Sequence, residues 1–328
     1  MTKRIYSGMR PTGKLHLGHL LGALRNWASL QDDYQCIFGI ADWHALMSEY
    51  ENTAALQESA IDNVIDWLAA GIDPEQSTLF IQSQVPGHLE LYMIFSCLTP
   101  LGWLERCPTY KEQLREIKTR NLNTYGFLGY PVLQAADILI YKADKVPVGE
   151  DQLPHLELTR EISRRFNTLY KKETFPEPEA LLTRMPRLLG LDSRKMSKSY
   201  NNTINLSDSQ EVIRQKIASM ITDPQRIKLS DPGHPEICNV FSYYSFFLPE
   251  LTGEVSDWCT NAKIGCTECK KRMAEGLIKK LAPFHDRRRE FVKDEKKVVK
   301  ILEQGKEKAL SVASKTLKEV KEIMDLPV

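Results

Sequence analysis

Residues 7–24, SGMRPTGKLHLGHLLGAL, join a predicted strand to a predicted helix through a turn that contains glycine. The strand is expected at residues 4–8, and residues 17–30 carry apolar side chains at the three-to-four spacing of a helix. Gly8 closes the strand, and Gly13 permits a tight turn. In parallel α/β sheets, ligands bind where strands end and anions bind at helix N-termini. The stretch therefore predicts a nucleotide site.

Composition narrows the class of protein. The 328 residues include 44 Lys and Arg against 43 Asp and Glu, so the overall charge neither favours nor excludes a nucleic-acid partner. No window approaches the roughly 18 apolar residues of a membrane span, and the first residues lack the apolar core of a signal peptide. We expect a reduced, cytoplasmic protein without membrane contact, in which any clustered cysteines are metal ligands more often than disulfides.

The first half of the chain alternates strand-like and helical patterns, which predicts a doubly wound parallel sheet with helices on both faces. Strands are expected at residues 4–8, 36–40, 78–81 and 145–148, and helices at 17–30, 54–70, 88–98 and 152–166. After residue 201 the patterns are helical, at 209–220, 240–248, 270–281 and 286–323. The expected fold is α/β: a Rossmann-like domain at 1–200, with a helical insert at about 105–140, followed by an all-helical module at 201–328.

Two histidines stand at the start of the first predicted helix. His16 and His19 are three residues apart, so both project from one side of the first turn. Ring N–H groups there can stabilise the charge that develops on a phosphate as it is displaced. Gly18 between them lets a flat group approach the backbone. Either histidine alone would be an ordinary surface or capping residue, but together they predict catalysis.

The same stretch contains most of a P-loop, with Gly-x4-Gly-Lys over residues 8–14. Leu15 stands where that loop needs a Ser or Thr hydroxyl on magnesium. Pro11 also removes one of the amides that would cradle phosphate. A P-loop nucleoside triphosphatase (NTPase) is therefore the weaker interpretation.

The tetrad His16-Leu17-Gly18-His19 resembles the HIGH signature of class I aminoacyl-tRNA synthetases. Their second signature, KMSKS, is present as residues 195–199. Lysines on a mobile, serine-bearing loop are point charges that can close on the triphosphate of ATP. Taken alone, the second motif could be a solvated basic loop. The resemblance implies the following catalytic residues: His16, His19, Lys195 and Lys198.

Two longer stretches are similar to the bacterial tryptophanyl-tRNA synthetases: YPVLQAADILIYKAD at residues 130–144 and VPVGEDQLPHLELTREISRRFN at residues 146–167. The similarity covers most of residues 4–201 and continues more loosely to the C-terminus. It implies a Rossmann catalytic domain, a helical domain that reads the anticodon, and a homodimer. The implied reaction converts L-tryptophan and ATP, with Mg²⁺, to tryptophanyl-adenylate and then charges tRNA(Trp).

The resemblance also assigns substrate contacts by matching position. Asp137 would accept the indole N–H. Other residues implied for the tryptophan pocket are Gln152, Tyr130, His44, Tyr6 and Gln134. Those implied for ATP are Arg10, Pro11, Thr12, Gly18, His19, Gly149, Glu150, Asp151, Leu188, Lys195, Met196, Ser197, Lys198 and Ser199. A buried carboxylate can select an indole, because an amino acid without a donor there leaves its lone pair unsatisfied.

Two other functions remain open. Tyr6, together with Tyr130-x3-Gln134-x2-Asp137, is also typical of tyrosyl-tRNA synthetases, in which a tyrosine and an aspartate bind the phenol. Residues 146–152 favour tryptophan, because the tyrosine enzymes carry a second glycine before the Asp-Gln pair. The second alternative is a non-catalytic, RNA-binding synthetase relative, although none of the signature histidines and lysines is lost. Arg10 stands where the family carries glutamine, which adds a cation near the triphosphate.

Four of the cysteines form the pattern C-x20-C-x6-C-x2-C: Cys238, Cys259, Cys266 and Cys269. Zinc modules usually have two short Cys-x2–4-Cys knuckles, of which this pattern has one. Four thiolates in a reduced compartment also suit a [4Fe–4S] cluster. A subset of bacterial tryptophanyl-tRNA synthetases is similar in having such a set, which favours the cluster. Structural Zn²⁺ and four unconnected core cysteines are the alternatives.

The residues beside these cysteines are basic. Between residues 263 and 300 there are 13 Lys and Arg against 6 Asp and Glu. Such a concentration of positive charge predicts a surface for the phosphates of the tRNA anticodon arm. The alternative is a solvated helix face.

Overall fold

A parallel five-stranded sheet organises the first half of the chain, as the alternating patterns predict. The computed structural model describes residues 2–108, 110–111, 121–182 and 188–327. The strands are β1 (Arg4–Met9), β2 (Gln35–Ile40), β3 (Ser77–Ile81), β4 (Lys145–Val148) and β5 (Glu179–Leu182). Their order is β3-β2-β1-β4-β5, and every neighbouring pair is parallel. The sequence did not predict β5, which has four residues, all at least partly exposed, and so lacks a buried apolar run.

Helices connect the strands. They are Asp42–Glu49, Leu56–Ala69, Gly87–Leu98, Leu101–Glu105, Tyr125–Leu128, Tyr130–Leu139 and Leu153–Tyr170, with 3₁₀ turns at Gln82–Gln84 and Glu150–Gln152. Part of the insert predicted at 105–140, namely residues 109 and 112–120, lies outside the described residues. None of the helices in the described part of the chain is long and apolar enough to cross a membrane.

The first signature and the second half of the chain are helical. Their helices are Leu17–His19, a π-helical turn Leu20–Leu24, Arg25–Leu30, Gln210–Ser219, Asn239–Phe247, Thr252–Thr260, Cys266–Lys293 and Glu295–Ile323, with 3₁₀ turns at Lys198–Tyr200, Pro235–Ile237 and Pro249–Leu251. The single helix predicted at 286–323 is wrong. Asp294 separates two helices, because its side chain accepts the amide of Lys297 and caps a new helix start.

The chain forms two compact units, and neither is one continuous stretch. The first consists of residues 1–13, 26–184 and 291–328, and the second of residues 14–25 and 185–290. The C-terminal helix Glu295–Ile323 belongs to the first unit because it packs closely on β3. A Cβ atom at Gly305 would overlap the carbonyl oxygen of Leu79, so only glycine allows this approach. The units therefore differ from the stretches 1–200 and 201–328.

Candidate active site

The carboxyl ends of β1 and β4 bring two of the implied ATP-binding segments to the same edge of the sheet. Residues 10–12 follow β1, and residues 149–152 follow β4, its neighbour. The backbone turns sharply after β1, where the amide of Thr12 donates to the carbonyl of Arg10 at 2.9 Å and Gly13 has φ +96°. The strand order changes direction here, since β2 lies on the other side of β1. Doubly wound sheets bind ligands at this position.

Asp137 lies on the helix Tyr130–Leu139 and is 2% exposed. Its Oδ1 accepts hydrogen bonds from Gln82 Nε2 and His88 Nδ1, both at 2.7 Å. Its Oδ2 lies 2.9 Å from His44 Nε2. A carboxylate has about four lone-pair sites, so one site on Oδ2 remains for a further donor.

These partners keep the carboxylate ionised. Burial alone would raise the pKa of Asp137, but hydrogen bonds from His44 and His88 lower it to about 2. Sequence reasoning missed both Gln82 and His88, which are fully buried. Gln82 follows β3 directly, and His88 is the second residue of the helix Gly87–Leu98. Their place after a parallel strand was the available signal.

Two more implied pocket residues share a helix face with Asp137. Tyr130 and Gln134 precede it by seven and three residues, which puts all three on one side of the helix. The Tyr130 hydroxyl lies 3.0 Å from Nε2 of His155, a buried residue that sequence reasoning also missed. Burial lowers the pKa of His155 to about 4, so the ring is neutral at pH 7.

The remaining implied pocket residues, Tyr6 and Gln152, have different environments. Tyr6 is buried on β1, where its ring stacks on Tyr141 with the centroids 5.5 Å apart. Its hydroxyl has no hydrogen-bond partner among the described residues. Gln152 ends the turn after β4, and its Nε2 donates to Asp151 Oδ2 at 2.9 Å.

In the second unit, His16 and His19 are locked to one another. Nδ1 of His16 accepts the amide of Gly18 at 3.1 Å, and the amide of His16 donates to Nδ1 of His19 at 3.1 Å. The ring centroids are 3.9 Å apart. Gly18 is needed because a Cβ atom there would lie 2.9 Å from the His16 ring. The structure thus gives this glycine a local role, which is to make room for the imidazole.

Both histidines are neutral donors. Burial, and then the positive charge of Lys198, lowers the pKa of His16 to about 4. Burial, His16 and Lys198 lower the pKa of His19 well below its ordinary value. Since Nδ1 of each ring accepts a hydrogen bond, the ring proton lies on Nε2. Each ring can therefore donate from Nε2 to a phosphate oxygen at pH 7 without carrying a charge of its own.

The second signature lies in a loop that we call the signature hairpin, residues 188–202. Leu189 pairs with Lys195 in an antiparallel bridge, and the amide of Met196 donates to the carbonyl of Leu188 at 3.1 Å. Leu188 and Met196 are buried, whereas Lys195 is exposed and Lys198 is partly exposed. The side chain of Ser199 lies outside the described residues.

Asn202 closes the signature hairpin, which the sequence did not reveal. Its Oδ1 accepts the amide of Ser197 at 2.8 Å. Its Nδ2 donates to Asp192 Oδ1 at 2.7 Å and to the carbonyl of Lys195 at 3.2 Å. This side chain is 3% exposed and holds the backbone on both sides of Met196.

The four predicted cysteine ligands line one cavity. They are accompanied by Thr222, Arg226, Val240, Val255, Trp258 and Ile264. Burial, and then the neighbouring thiol of Cys238, raises the pKa of Cys269 to about 12. In the described part of the chain, no three His, Cys, Asp or Glu side chains are grouped to hold one metal ion. The structure therefore brings the four cysteines to one cavity without forming a single-ion site.

The chain is similar to known proteins over nearly its whole length. Residues 2–282 match the family model of class I tRNA synthetases for tryptophan and tyrosine (W and Y). The tryptophan–tRNA ligase of Thermotoga maritima is 52% identical, over 98% of this chain and 99% of that protein. That of Aquifex aeolicus is 44% identical, over 99% and 100%. A crystal structure of tryptophanyl-tRNA synthetase from Campylobacter jejuni, complexed with ADP and tryptophan, matches with a TM-score of 0.90 at 32% identity, over 98% and 100%.

Proposed function

Because this chain belongs to the class I tRNA synthetases for tryptophan and tyrosine, we propose that it is a tryptophan–tRNA ligase. It joins L-tryptophan to ATP, giving tryptophanyl-adenylate and pyrophosphate, and then transfers the tryptophanyl group to tRNA(Trp). Relatives that carry this name match essentially the whole chain, which supports tryptophan over tyrosine.

The state of Asp137 carries the choice of a substrate whose side chain bears a hydrogen-bond donor, and the tryptophan–tRNA ligases among the relatives favour tryptophan over tyrosine. Its carboxylate is buried, ionised and held by three donors, with one lone-pair site left on Oδ2. An indole N–H can donate to that site. An amino acid with an apolar side chain would leave it unsatisfied, at a cost of about 1–3 kcal/mol or more for a charged group. Tyr130, Gln134 and Gln152 would complete the pocket.

The signature residues act on ATP. In adenylate formation, the carboxylate oxygen of tryptophan bonds to the α-phosphorus, and the bond to the pyrophosphate leaving group breaks. Negative charge grows on the phosphate oxygens in the transition state. The Nε2–H groups of His16 and His19 stabilise this charge as neutral donors, and Lys195 and Lys198 do so as cations. Mg²⁺ would enter with the ATP phosphates.

The other ATP contacts remain predictions. They are Arg10, Pro11 and Thr12 after β1, Gly149, Glu150 and Asp151 after β4, Gly18 in the first signature, and Leu188, Met196, Ser197 and Ser199 in the signature hairpin. Leu188 and Met196 present apolar side chains, which suit the adenine ring. Arg10 adds a positive charge for the triphosphate.

Amino-acid-dependent pyrophosphate exchange tests this function. The purified protein is incubated with ATP, labelled pyrophosphate and each of the twenty amino acids in turn. We expect label to enter ATP with tryptophan and at least tenfold less with every other amino acid. Equal or faster exchange with tyrosine would assign the tyrosyl function and make Tyr6 a phenol ligand. No exchange with any amino acid would favour the non-catalytic RNA-binding relative.

The helices after residue 201 would read the anticodon of tRNA(Trp). Basic residues between 263 and 300 supply positive charge for its phosphates. We further propose a homodimer in the cytoplasm, on the family resemblance alone.

We also propose that the four cysteines hold a [4Fe–4S] cluster. The thiols face one cavity with largely apolar walls, which suits a buried group bound by sulfur. A zinc ion would need all four sulfurs within about 2.3 Å of one point, whereas a cluster takes each thiolate on a different iron. Such a group would cross-link the helix starting at Asn239, the helix Thr252–Thr260 and the helix Cys266–Lys293, and its chemistry would be structural.

Metal analysis tests the cluster. Protein purified without oxygen should be brown and contain about four iron and four acid-labile sulfide per chain. Cys266→Ser should lose both and charge tRNA poorly, with a smaller loss of pyrophosphate exchange. Cys97→Ser is the matched control, since Cys97 is exposed and lies outside the cavity, and it should keep the iron. One zinc per chain would contradict the cluster, and four freely titratable thiols without metal would contradict any metal site.

A further inference from the structure

The base of the signature hairpin is bound by a helix that contains none of the predicted site residues. Asn239, on the helix Asn239–Phe247, donates from Nδ2 to the carbonyl of Gly190 at 2.6 Å. Tyr243, one turn later, donates from its hydroxyl to the carbonyl of Leu189 at 2.8 Å. Asn239 is 3% exposed and Tyr243 is fully buried. Two successive carbonyls of the hairpin are therefore held from one helix face.

These bonds continue to the signature lysines. Gly190 packs against Asn202, and a Cβ atom on Gly190 would overlap the Asn202 side chain. Asn202 in turn binds the carbonyl of Lys195 and the amide of Ser197. A shift of Gly190 would therefore move the side chain that fixes the backbone at Lys195. The contacts run without a gap from Asn239, through Gly190 and Asn202, to Lys195.

We propose that Asn239 and Tyr243 are positioning residues for adenylate formation, because they fix the base from which the signature lysines reach ATP. The proposal rests on the proposed function. Lys195 is exposed, so the accuracy with which it meets ATP depends on the backbone beneath it. Neither residue needs to touch a substrate, and their effect should fall on ATP rather than on tryptophan.

A neighbouring tyrosine provides a matched control. Tyr244 lies on the same helix, is fully buried and donates from its hydroxyl to a backbone carbonyl, that of Cys269, at 2.9 Å. Tyr243→Phe and Tyr244→Phe each remove one buried hydroxyl and its hydrogen bond to a backbone carbonyl. The carbonyl of Cys269 lies outside the signature hairpin and that of Leu189 lies within it, so only Tyr243→Phe should release the hairpin.

The test is tryptophan-dependent pyrophosphate exchange in the full chain, with the melting temperature measured for each variant. We expect Tyr243→Phe to raise KM for ATP about fivefold to tenfold, the scale of one lost buried hydrogen bond. KM for tryptophan should stay within twofold of wild type. Tyr244→Phe should leave both constants near wild type. Trypsin should also cut the Tyr243→Phe hairpin after Arg194 or Lys195 faster than it cuts the wild-type hairpin.

A second variant covers the case in which Tyr243→Phe does not fold. Asn239→Asp keeps the size of the side chain but turns a donor toward Gly190 into an acceptor, and it should raise KM for ATP at least as much. The same ATP constants in wild type and in both hairpin variants would overturn the proposal, as would equal effects of Tyr243→Phe and Tyr244→Phe. A wild-type protein inactive with tryptophan would instead overturn the proposed function.

Discussion

His19→Ala and Lys198→Ala are each expected to slow tryptophanyl-adenylate formation by about a hundredfold or more, the scale for loss of one aimed transition-state donor. His19 donates from Nε2 because its Nδ1 accepts the amide of His16. Alanine cannot donate, and it also leaves that amide without its partner. Single-turnover measurement of adenylate formation at saturating tryptophan and ATP gives the rate directly.

The neutrality of His19 adds a second readout. Burial lowers the pKa of His19 well below its ordinary value, so the ring stays neutral as the pH falls from 8 to 6. The loss in His19→Ala should therefore be similar at pH 8 and pH 6. If His19 acted as a cation, the loss would grow toward pH 6, and that result would contradict the assignment.

Controls separate chemistry from folding. His234→Ala removes another histidine of the same unit, one bound to Asp223, and should leave adenylate formation unchanged. The dissociation constant of tryptophan should change less than threefold in all three variants. Near-normal adenylation in His19→Ala or Lys198→Ala would remove those residues from the chemical step.

Asp137→Asn should weaken tryptophan activation by about 2–3 kcal/mol, or roughly 30-fold to 150-fold in kcat/KM, the scale of a hydrogen bond to a charged group. Asparagine is neutral and carries an amide donor. That amide must face either the two donors Gln82 and His88 or the single donor His44, so in each orientation at least one N–H donor loses its acceptor. Pyrophosphate exchange over a range of tryptophan concentrations measures the effect.

Asp144→Asn is the matched control for this prediction. Asp144 lies just before β4, and its side chain accepts the amide of Arg4 at 2.7 Å. It is therefore at the amino ends of the strands, whereas the candidate site is at their carboxyl ends. The same chemical change there should leave kcat/KM for tryptophan near wild type. An Asp137→Asn protein that activates tryptophan normally would show that the carboxylate is structural.

The lowered pKa of Asp137 also predicts how this carboxylate contributes to the free energy of unfolding at different pH values. Its pKa is about 2 in the folded chain, below the ordinary value of 3.8, so the unfolded chain binds the proton more readily between those values. The contribution is complete above about pH 4 and is lost as the pH falls toward 2. At neutral pH the carboxylate is therefore a fixed acceptor.

Local sequence patterns determined several features of this protein. Alternating apolar runs gave four of the five strands, because a buried strand is recognisable from its own residues. The two signatures identified the candidate catalytic residues, because each is a short run of neighbouring residues. His16 and His19, for example, need only one helical turn to meet. The four cysteines were found from their spacing, and they do line one cavity.

Only the tertiary structure decided which polar groups support the candidate site. Gln82 and His88 reach Asp137 across 55 and 49 residues, and Asn239 reaches Gly190 across 49. No local pattern distinguishes such side chains from other polar residues, because their partners are chosen by the packing of separate elements. The C-terminal helix illustrates the same point, since Gly305 appears as an isolated helical glycine until β3 is placed against it. The sequence revealed each signature because its residues are neighbours along the chain, whereas the groups that support the candidate site are brought together only by folding.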